Sequence, residues 1–462
     1  MNAAAPDPLR QHAVAAVQRL RDAGHLAYWA GGCVRDTLLG RTPKDYDIAT
    51  DARPDAVLAL FPGAVAVGKS FGVVRVPLGG HWFEVATFRR DHAYLDGRHP
   101  AAVSFADPAA DAQRRDFTIN ALFYDPLSDT VLDFVAGRRD LETRTVRCVG
   151  RPAERFAEDR LRLLRAVRFA STLDFAIEPE TARAIREQAP GLAAVSAERI
   201  REELVRTLVE AARPGEALEQ LYELGLLAVI LPEVCALRGQ AQPPEFHPEG
   251  DVWAHTVRLL NLLRRPDPRL ALAALFHDLG KPATAAPGPD RLRFDGHDEV
   301  GAQLTARIMG RLRFAREEID AVCHCVRRHM RFLDVQRMRR STLRRLVGHP
   351  LFPLELELHR LDCLASHGQL ANYEFLLAVQ RELAAEPVLP AAWITGRDLL
   401  GLGLAPGPAV GYWKRKAYDA QLEGRFASPS ALRAWLADEI RRAPAAGPEP
   451  PGAAPANPPG SG

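Results

Sequence analysis

Lysine is scarce in this chain. Lys44, Lys69, Lys281, Lys414 and Lys416 are the five lysines among 60 basic residues; the rest are arginine. Codon bias alone produces such a skew, so arginine abundance does not argue for a nucleic-acid partner; only local clusters can. An excess of one charge is also missing: 58 acidic residues leave a net charge of +2. The six cysteines (Cys33, Cys148, Cys235, Cys323, Cys325 and Cys363) are scattered. They read as reduced, buried thiols rather than a disulfide framework. Cys323-His324-Cys325 has no matching second half and reads as helix packing. No run of eighteen apolar residues occurs, so no membrane partner is expected. The start lacks a basic stretch, an apolar core and a cleavage site, so no signal peptide is indicated and the expected location is cytoplasmic. What remains is ordinary: 462 residues, 47% hydrophobic and 26% charged, enough for two to four globular domains.

The apolar pattern divides the chain. Residues 10–23 carry a helical stripe through Val14, Val17 and Leu20. Strand-like runs follow at 26–30, 46–49, 73–78, 82–88 and 131–134, with helical patterns between some of them. These predict a mixed α/β domain over residues 1–149. Beyond it, periodic segments at 154–173, 197–210 and 214–224 predict a helical region over 150–240. A polar, proline-rich break at 240–248 precedes a histidine-rich helical domain, 241–371. A further helical region, 372–442, is expected to be interrupted by a glycine-rich stretch at 396–411. The Ala-, Pro- and Gly-rich segment 443–462 cannot bury a core and reads as disordered. Residues 91–113 show little periodicity and read as a mobile loop.

The most informative stretch is Asp45-Tyr46-Asp47 after Ala30-Gly31-Gly32. Two carboxylates at i and i+2 of an extended segment point to one side of a sheet. They repel unless a cation sits between them. The glycine turn links an apolar run to a helical pattern, where backbone N–H groups can receive phosphate. A phosphate cradle beside paired acids means metal-assisted phosphoryl or nucleotidyl transfer. Asp45 and Asp47 are the candidate ligands of divalent cations, Mg²⁺ first. Glu84, on a neighbouring strand, is the candidate third acid.

Here the chain resembles the class II tRNA nucleotidyltransferases and bacterial poly(A) polymerases of the polymerase-β superfamily. The first motif is Gly31-Gly32-x-Val34-Arg35-Asp36-x-Leu38-Leu39-Gly40 with Asp45-x-Asp47. Arg114-Arg115-Asp116-Phe117-Thr118-Ile119-Asn120-Ala121 is similar to the second, and Asp133-x-x-x-Gly137-x-x-Asp140-Leu141 to the third. Glu158-Asp159-x-x-Arg162-x-x-Arg165-x-x-Arg168-Phe169 is similar to the fourth. Ala197-Glu198-Arg199-Ile200-x-x-Glu203-Leu204 is a weaker match to the fifth. The resemblance implies an α+β nucleotidyltransferase domain (a mixed sheet with helices) followed by all-α domains. Gly32, Arg35, Arg115 and Arg165 are phosphate candidates, since a guanidinium pairs with phosphate through two N–H groups. Asp116 and Asn120 either contact ribose, orient the arginines or serve a purely structural role. Arg168 is included by resemblance, although nine residues of ideal helix place it half a turn from Asp159.

Asp159 and Arg162 are expected as neighbours on one helix face. Ionised aspartate only accepts hydrogen bonds and arginine only donates them. Cytosine and adenine offer an amino donor beside an acceptor nitrogen. Uracil and guanine put a carbonyl where that amino group stands, and each buried mismatch costs roughly 1–3 kcal/mol. One Asp/Arg pair therefore accepts C and A without a template.

A second cluster follows. His255, His277-Asp278, His297, His329 and Asp362 form an H…HD…D pattern that resembles the HD phosphohydrolase superfamily, a helical fold. Imidazole and carboxylate suit Mn²⁺, Ni²⁺, Fe²⁺ or Zn²⁺, with Mg²⁺ also possible. His297 and His329 correspond to the extra histidines of two-metal members, and His324 is an alternative to His329. The expected activity is template-independent addition of CCA, or part of it, to tRNA 3′ ends from CTP and ATP, with a possible phosphohydrolase at the second site. The alternatives are a poly(A) polymerase, an HD phosphohydrolase whose first domain only binds nucleotide, and a non-catalytic RNA-binding protein. Trp413-Lys414-Arg415-Lys416 is either a tRNA-backbone contact or a solvated helix face.

Overall fold

The computed structural model describes residues 7–68, 72–94, 100–264, 266–384 and 387–442. They form two compact units, Met1–Val326 and Arg327–Gly462.

The first unit opens with α1 (Pro8–Asp22), capped by Asp7, whose carboxylate accepts the Leu9 N–H at 3.0 Å. Ala13, Ala16, Val17 and Leu20 recur at helical spacing and are its buried face. Then come β1 (Ala27–Ala30), α2 (Gly32–Leu38), β2 (Asp47–Thr50), α3 (Pro54–Leu60), β3 (Val65–Gly68), β4 (Val73–Leu78) and β5 (His81–Thr87). They are followed by β6 (Arg89–Tyr94), β7 (Pro100–Phe105), α4 (Pro108–Gln113), β8 (Phe123–Asp125) and β9 (Thr130–Leu132). Seven strands make one mixed sheet in the order β3-β4-β5-β2-β1-β8-β9. Only the β2–β5 pairing in it is parallel. All four residues of β1 are buried, as a central strand requires. Tyr28, Phe88 and Phe123 pack on one another in the core beneath it.

Residues 91–113 are not an irregular loop where they are described. β6 and β7 pair as an antiparallel hairpin, and α4 follows, capped by Asp107. Weak alternation hid this hairpin: cross-strand hydrogen bonding, which the sequence does not display, supplies its order. The hairpin tip, 95–99, lies outside the described residues, as does the segment 443–462 expected to be disordered.

Helices continue with α5 (Gly137–Glu142), α6 (Pro152–Glu158), α7 (Arg162–Leu173), α8 (Pro179–Gln188), α9 (Ala197–Glu210) and α10 (Pro214–Glu223). Next are α11 (Leu226–Ile230), α12 (Pro232–Cys235), α13 (Val252–Asn261), α14 (Pro268–Phe276), α15 (Lys281–Thr284), α16 (His297–Arg311) and α17 (Arg316–Arg328). The single helix expected over 154–173 is two. Asp159 takes an extended conformation (φ −144°, ψ 103°), and its side chain bonds the Leu161 N–H at 3.1 Å. Aspartate competes for backbone in this way, which breaks helices that apolar periodicity alone would join.

In the second unit, α18 (Arg340–Val347), α19 (Phe352–Ala365) and α20 (Ala371–Leu383) surround Phe332, Phe352 and Leu376. α21 (Gly396–Gly401), α22 (Pro408–Leu422) and α23 (Pro429–Arg442) surround Leu399, Trp413 and Leu432. The expected glycine-rich interruption therefore contains a helix. Thr395 and Asp398 form a reciprocal capping box that starts α21 despite Gly396. Trp413 is 3% exposed and Lys416 pairs with Glu439 at 2.6 Å, so this aromatic is a core residue. No helix among the described residues is long and apolar enough to cross a membrane.

Candidate functional site

Sheet register assembles the acids. Asp47 begins β2 opposite Ala30 of β1. On the other side, Ile48 pairs in parallel with Val85, so one step back sets Glu84 of β5 beside Asp47 on the same face. Asp45, Asp47 and Glu84 all reach the surface. Asp47 has its pKa pushed up to about 6, first by lost hydration, then by the charges of Asp45 and Glu84, with Arg115 opposing. A carboxylate raised by two neighbouring acids is a receptive site for divalent cations. The Cys33 thiol lies behind them, 3.4 Å from the Ala30 carbonyl; burial pushes it up to about 12, so it is an inert packing group.

Opposite the acids stands an arginine cage. Gly31 has φ +74°, and a Cβ there would lie 3.0 Å from Arg115 Nη1, so only glycine lets the turn pass this guanidinium. Arg115 is held by both its Nε and Nη2 on Asp111 (3.2 and 3.1 Å) and donates to the Asn120 carbonyl at 3.1 Å. Arg35, one turn into α2, donates to Asn120 Oδ1 at 2.8 Å and to Asp36. Asp116 accepts two hydrogen bonds from Arg165, at 2.9 and 2.7 Å. Burial raises the Asp116 pKa, but Arg165 outweighs it and leaves the group at about 2. Asp116 and Asn120 thus orient arginines. The guanidiniums of Arg35, Arg165 and Arg168 all lie over the Phe169 ring, at 5.4, 5.1 and 4.3 Å from its centroid.

The fourth motif does not form the expected helix-face pair. Asp159 lies in the break between α6 and α7, and its carboxylate pairs with Arg199 of α9 at 2.7 Å. Arg162 instead bonds Glu158 at 2.7 Å and the Arg155 carbonyl at 2.9 Å. The backbone still keeps the two close, because the Arg162 N–H donates to the Asp159 carbonyl at 3.1 Å. Arg168 is 3% exposed and bound to Glu203 at 2.6 Å, a brace between α7 and α9. Asp111, Arg199 and Glu203 were not singled out as functional from the sequence. Glu203 and Arg199 stand in the weak fifth motif, which was the available signal.

In the second cluster, three histidines are set in one tautomer by oxygen partners. His255 Nδ1 faces Glu249 at 2.6 Å, His277 Nδ1 faces the Ala274 carbonyl at 2.9 Å, and His297 Nδ1 faces the Phe294 carbonyl at 2.7 Å. Their Nε2 atoms converge. Those of His255 and His277 are 3.2 Å apart, and those of His277 and His297 lie 3.2 and 3.7 Å from the Asp278 carboxylate. With Nδ1 engaged in this way, each ring turns Nε2, its other ligand atom, inward toward the Asp278 carboxylate, a set of donors that suits a cation. Asp278 is held well below the carboxylate range by His277 and Lys281, against the effect of burial. Glu249 also meets His247 at 2.9 Å; the sequence reading missed both. His329 opens a short 3-10 turn and Asp362 lies on α19, both in the second unit.

Acids facing an arginine cage on a sheet, with a histidine-aspartate centre on later helices, define a nucleotidyltransferase joined to an HD-type domain. Known proteins agree. The poly A polymerase head domain model matches residues 27–147, the "probable RNA and SrmB-binding site of polymerase A" matches 174–237, and the HD domain matches 252–366, which includes all six candidate ligands. The A-adding tRNA nucleotidyltransferase of Deinococcus radiodurans is 35% identical over 430 residues, 88% of this chain and 94% of that protein. The chain therefore belongs to the tRNA nucleotidyltransferase family and is an enzyme. The CCA-adding enzyme of Geobacillus stearothermophilus is 43% identical over 224 residues, 48% of this chain and 55% of that one. The crystal structure of the Bacillus stearothermophilus CCA-adding enzyme in complex with CTP superposes with a TM-score of 0.72 at 29% identity, covering 94% of this chain and 98% of that one.

Proposed function

We propose that the enzyme extends tRNA 3′ ends with CCA, or part of it, from CTP and ATP, releasing pyrophosphate without a template. The observation that carries this is the sheet register that sets Asp47 beside Glu84, two residues from Asp45, next to the Gly31 turn that Arg115 lines. Asp45 and Asp47, aided by Glu84, would hold Mg²⁺, which would supply a lowered pKa for the attacking 3′-hydroxyl and positive charge for the triphosphate. Gly32, Arg35, Arg115 and Arg165 take the phosphates, with Asp116 orienting Arg165. Asp159 and Arg162 read the base. Arg168 supports this set from beneath. A relative named as a tRNA nucleotidyltransferase, another named as a CCA-adding enzyme, and a structural neighbour in complex with CTP support this over a poly(A) polymerase.

The second site is proposed to hold a divalent ion (Mn²⁺, Ni²⁺, Fe²⁺, Zn²⁺ or Mg²⁺) through His255, His277 and Asp278, with His297. The sequence adds His329 and Asp362 to this set. Its proposed chemistry is phosphate-ester hydrolysis. Domain borders are proposed near residues 149, 240, 371 and 442, and the place of action is proposed to be the cytoplasm. A second reading, addition of the terminal A alone, is favoured by one observation: the A-adding relative matches across nearly the whole chain, whereas the CCA-adding relative from Geobacillus matches about half. Sequencing of products from tRNAs ending at the discriminator base, at C and at CC decides between them. Growth of all three supports CCA addition, and growth of the last alone supports A addition. No extension of any would overturn the proposal.

A further inference from the structure

The residue that reads the base is itself gripped from another helix. Asp159 sits where the helix ladder is broken, with an extended backbone. Its carboxylate has one contact per oxygen: Oδ1 accepts the Leu161 N–H at 3.1 Å, and Oδ2 accepts Arg199 Nη2 at 2.7 Å. Both side chains are about four-fifths buried, with exposures of 20% for Arg199 and 17% for Asp159. Arg199 lies one turn before Glu203 on α9, so the two share a face. Glu203 binds Arg168 at 2.6 Å and Arg165 at 3.5 Å. One face of α9 therefore clasps both the break and α7.

We infer that Arg199 is a specificity-determining positioning residue: it fixes the plane of the Asp159 carboxylate against the incoming base. The inference rests on the base-reading role proposed above for Asp159. A carboxylate turns about a broad, roughly two-fold torsion when nothing holds it. A contact on each oxygen removes that freedom, and the second lone pair of each oxygen remains for a base amino group. Rejection of uracil and guanine depends on this rigidity. A fixed carboxylate confronts their carbonyl, whereas a free one turns aside and the mismatch costs less. Loss of Arg199 therefore raises acceptance of the wrong base more than it lowers use of the right one.

The test measures kcat/KM for CTP, ATP, UTP and GTP on a tRNA acceptor in the full chain, for wild type, Arg199→Met, Arg199→Lys and Asp159→Asn. Arg199→Met is expected to narrow the preference for the accepted nucleotide over UTP by about tenfold, the order of one buried hydrogen bond. Most of the change should come from faster use of UTP. Arg199→Lys should restore much of the preference, because it returns one donor. Adding Arg199→Met to Asp159→Asn should cost little more than Asp159→Asn alone. A merely structural role would lower Tm and all four rates together and leave the ratio unchanged. Unchanged selectivity in the Met variant with reduced selectivity in Asp159→Asn overturns the role of Arg199 alone. Unchanged selectivity in Asp159→Asn as well overturns base reading by Asp159, and the present inference with it. If the Met variant does not fold, Arg199→Ala takes its place, and a ratio equal to wild type in that variant sinks the idea.

Discussion

Single carboxylates in this protein divide by what surrounds them. Asp47 reaches the surface, yet the protein packed around it strips hydration and two like charges add to this, pushing it up to about 6, which a cation would relieve. Asp47→Ala is expected to lower nucleotide incorporation by at least a thousandfold with little loss of Tm, because it removes repulsion as well as a ligand. Retained incorporation would show that the metal ligands lie elsewhere. Asp116 is the opposite case, held at about 2 by Arg165. Its ionised form is favoured by nearly two pKa units, or about 2 kcal/mol of folding stability. The pKa is depressed on folding, so this stabilisation is complete above about pH 4, the unfolded value, and is lost as pH falls toward 2. Urea unfolding of wild type and Asp116→Asn should differ by about 2 kcal/mol at pH 6 and converge near pH 2. A gap that stays constant with pH would deny the ion pair this role. The residue types were legible in the sequence here, since Asp45, Asp47, Arg35 and Arg115 carry their chemistry in their spacing. Partners were not. That Asp111 holds Arg115, or that Glu203 holds Arg168, depends on which helix returns to which, and no local pattern reports it.

At the scale of elements, the site depends on two departures from regular structure, and only one could be read beforehand. The Gly31 turn announces itself, because consecutive glycines between a strand and a helix have few other uses. Replacing Gly31 by Ala forces a left-handed conformation and brings Cβ to 3.0 Å from Arg115. The expected cost is roughly 1–3 kcal/mol, with a rise in KM for nucleotide as Arg115 is displaced; an unchanged KM would separate the turn from phosphate binding. The break at Asp159 was hidden, since the apolar repeat runs on through both α6 and α7 while a side-chain bond to Leu161 stops the helix. The same lesson holds for the hairpin over β6 and β7 and for α21. Hydrogen bonds between strands and a capping box order segments whose composition reads as loop. In the second cluster, the short segment ahead of α13 brings Glu249 to His255 Nδ1 at 2.6 Å. Glu249→Gln keeps the shape but loses the charge that fixes this ring, so metal affinity should fall about 10–100-fold. Competition with a chromophoric chelator measures it, and an unaltered affinity would leave Glu249 a packing group.

Across the whole molecule, the two proposed centres draw on different chemistry, and the elements of the first unit that carry them make them separable. The first centre is built from β2, β5 and the turn into α2; the histidines come from α13, the end of α14 and the start of α16. None of the residues named for one belongs to the other. Asp47 answers to Arg115, whereas Asp278 answers to His277 and Lys281. His277→Ala should therefore abolish tight binding of Mn²⁺ or Ni²⁺ at the helical centre and leave nucleotide incorporation with Mg²⁺ within about twofold. Asp47→Ala should do the reverse. Metal bound to the folded state alone adds stability by mass action, about 2.7 kcal/mol at a hundred times Kd. Wild type should thus gain Tm on addition of Mn²⁺, and His277→Ala should gain clearly less. If His277→Ala also removes incorporation while its Tm without metal matches wild type, the centres are coupled rather than independent. Phosphate-ester hydrolysis, assayed with Ni²⁺, Mn²⁺ and Mg²⁺, then separates the two uses of a bound ion. Hydrolysis lost in His277→Ala makes the ion catalytic, and metal-dependent Tm without hydrolysis under any of the three makes it structural.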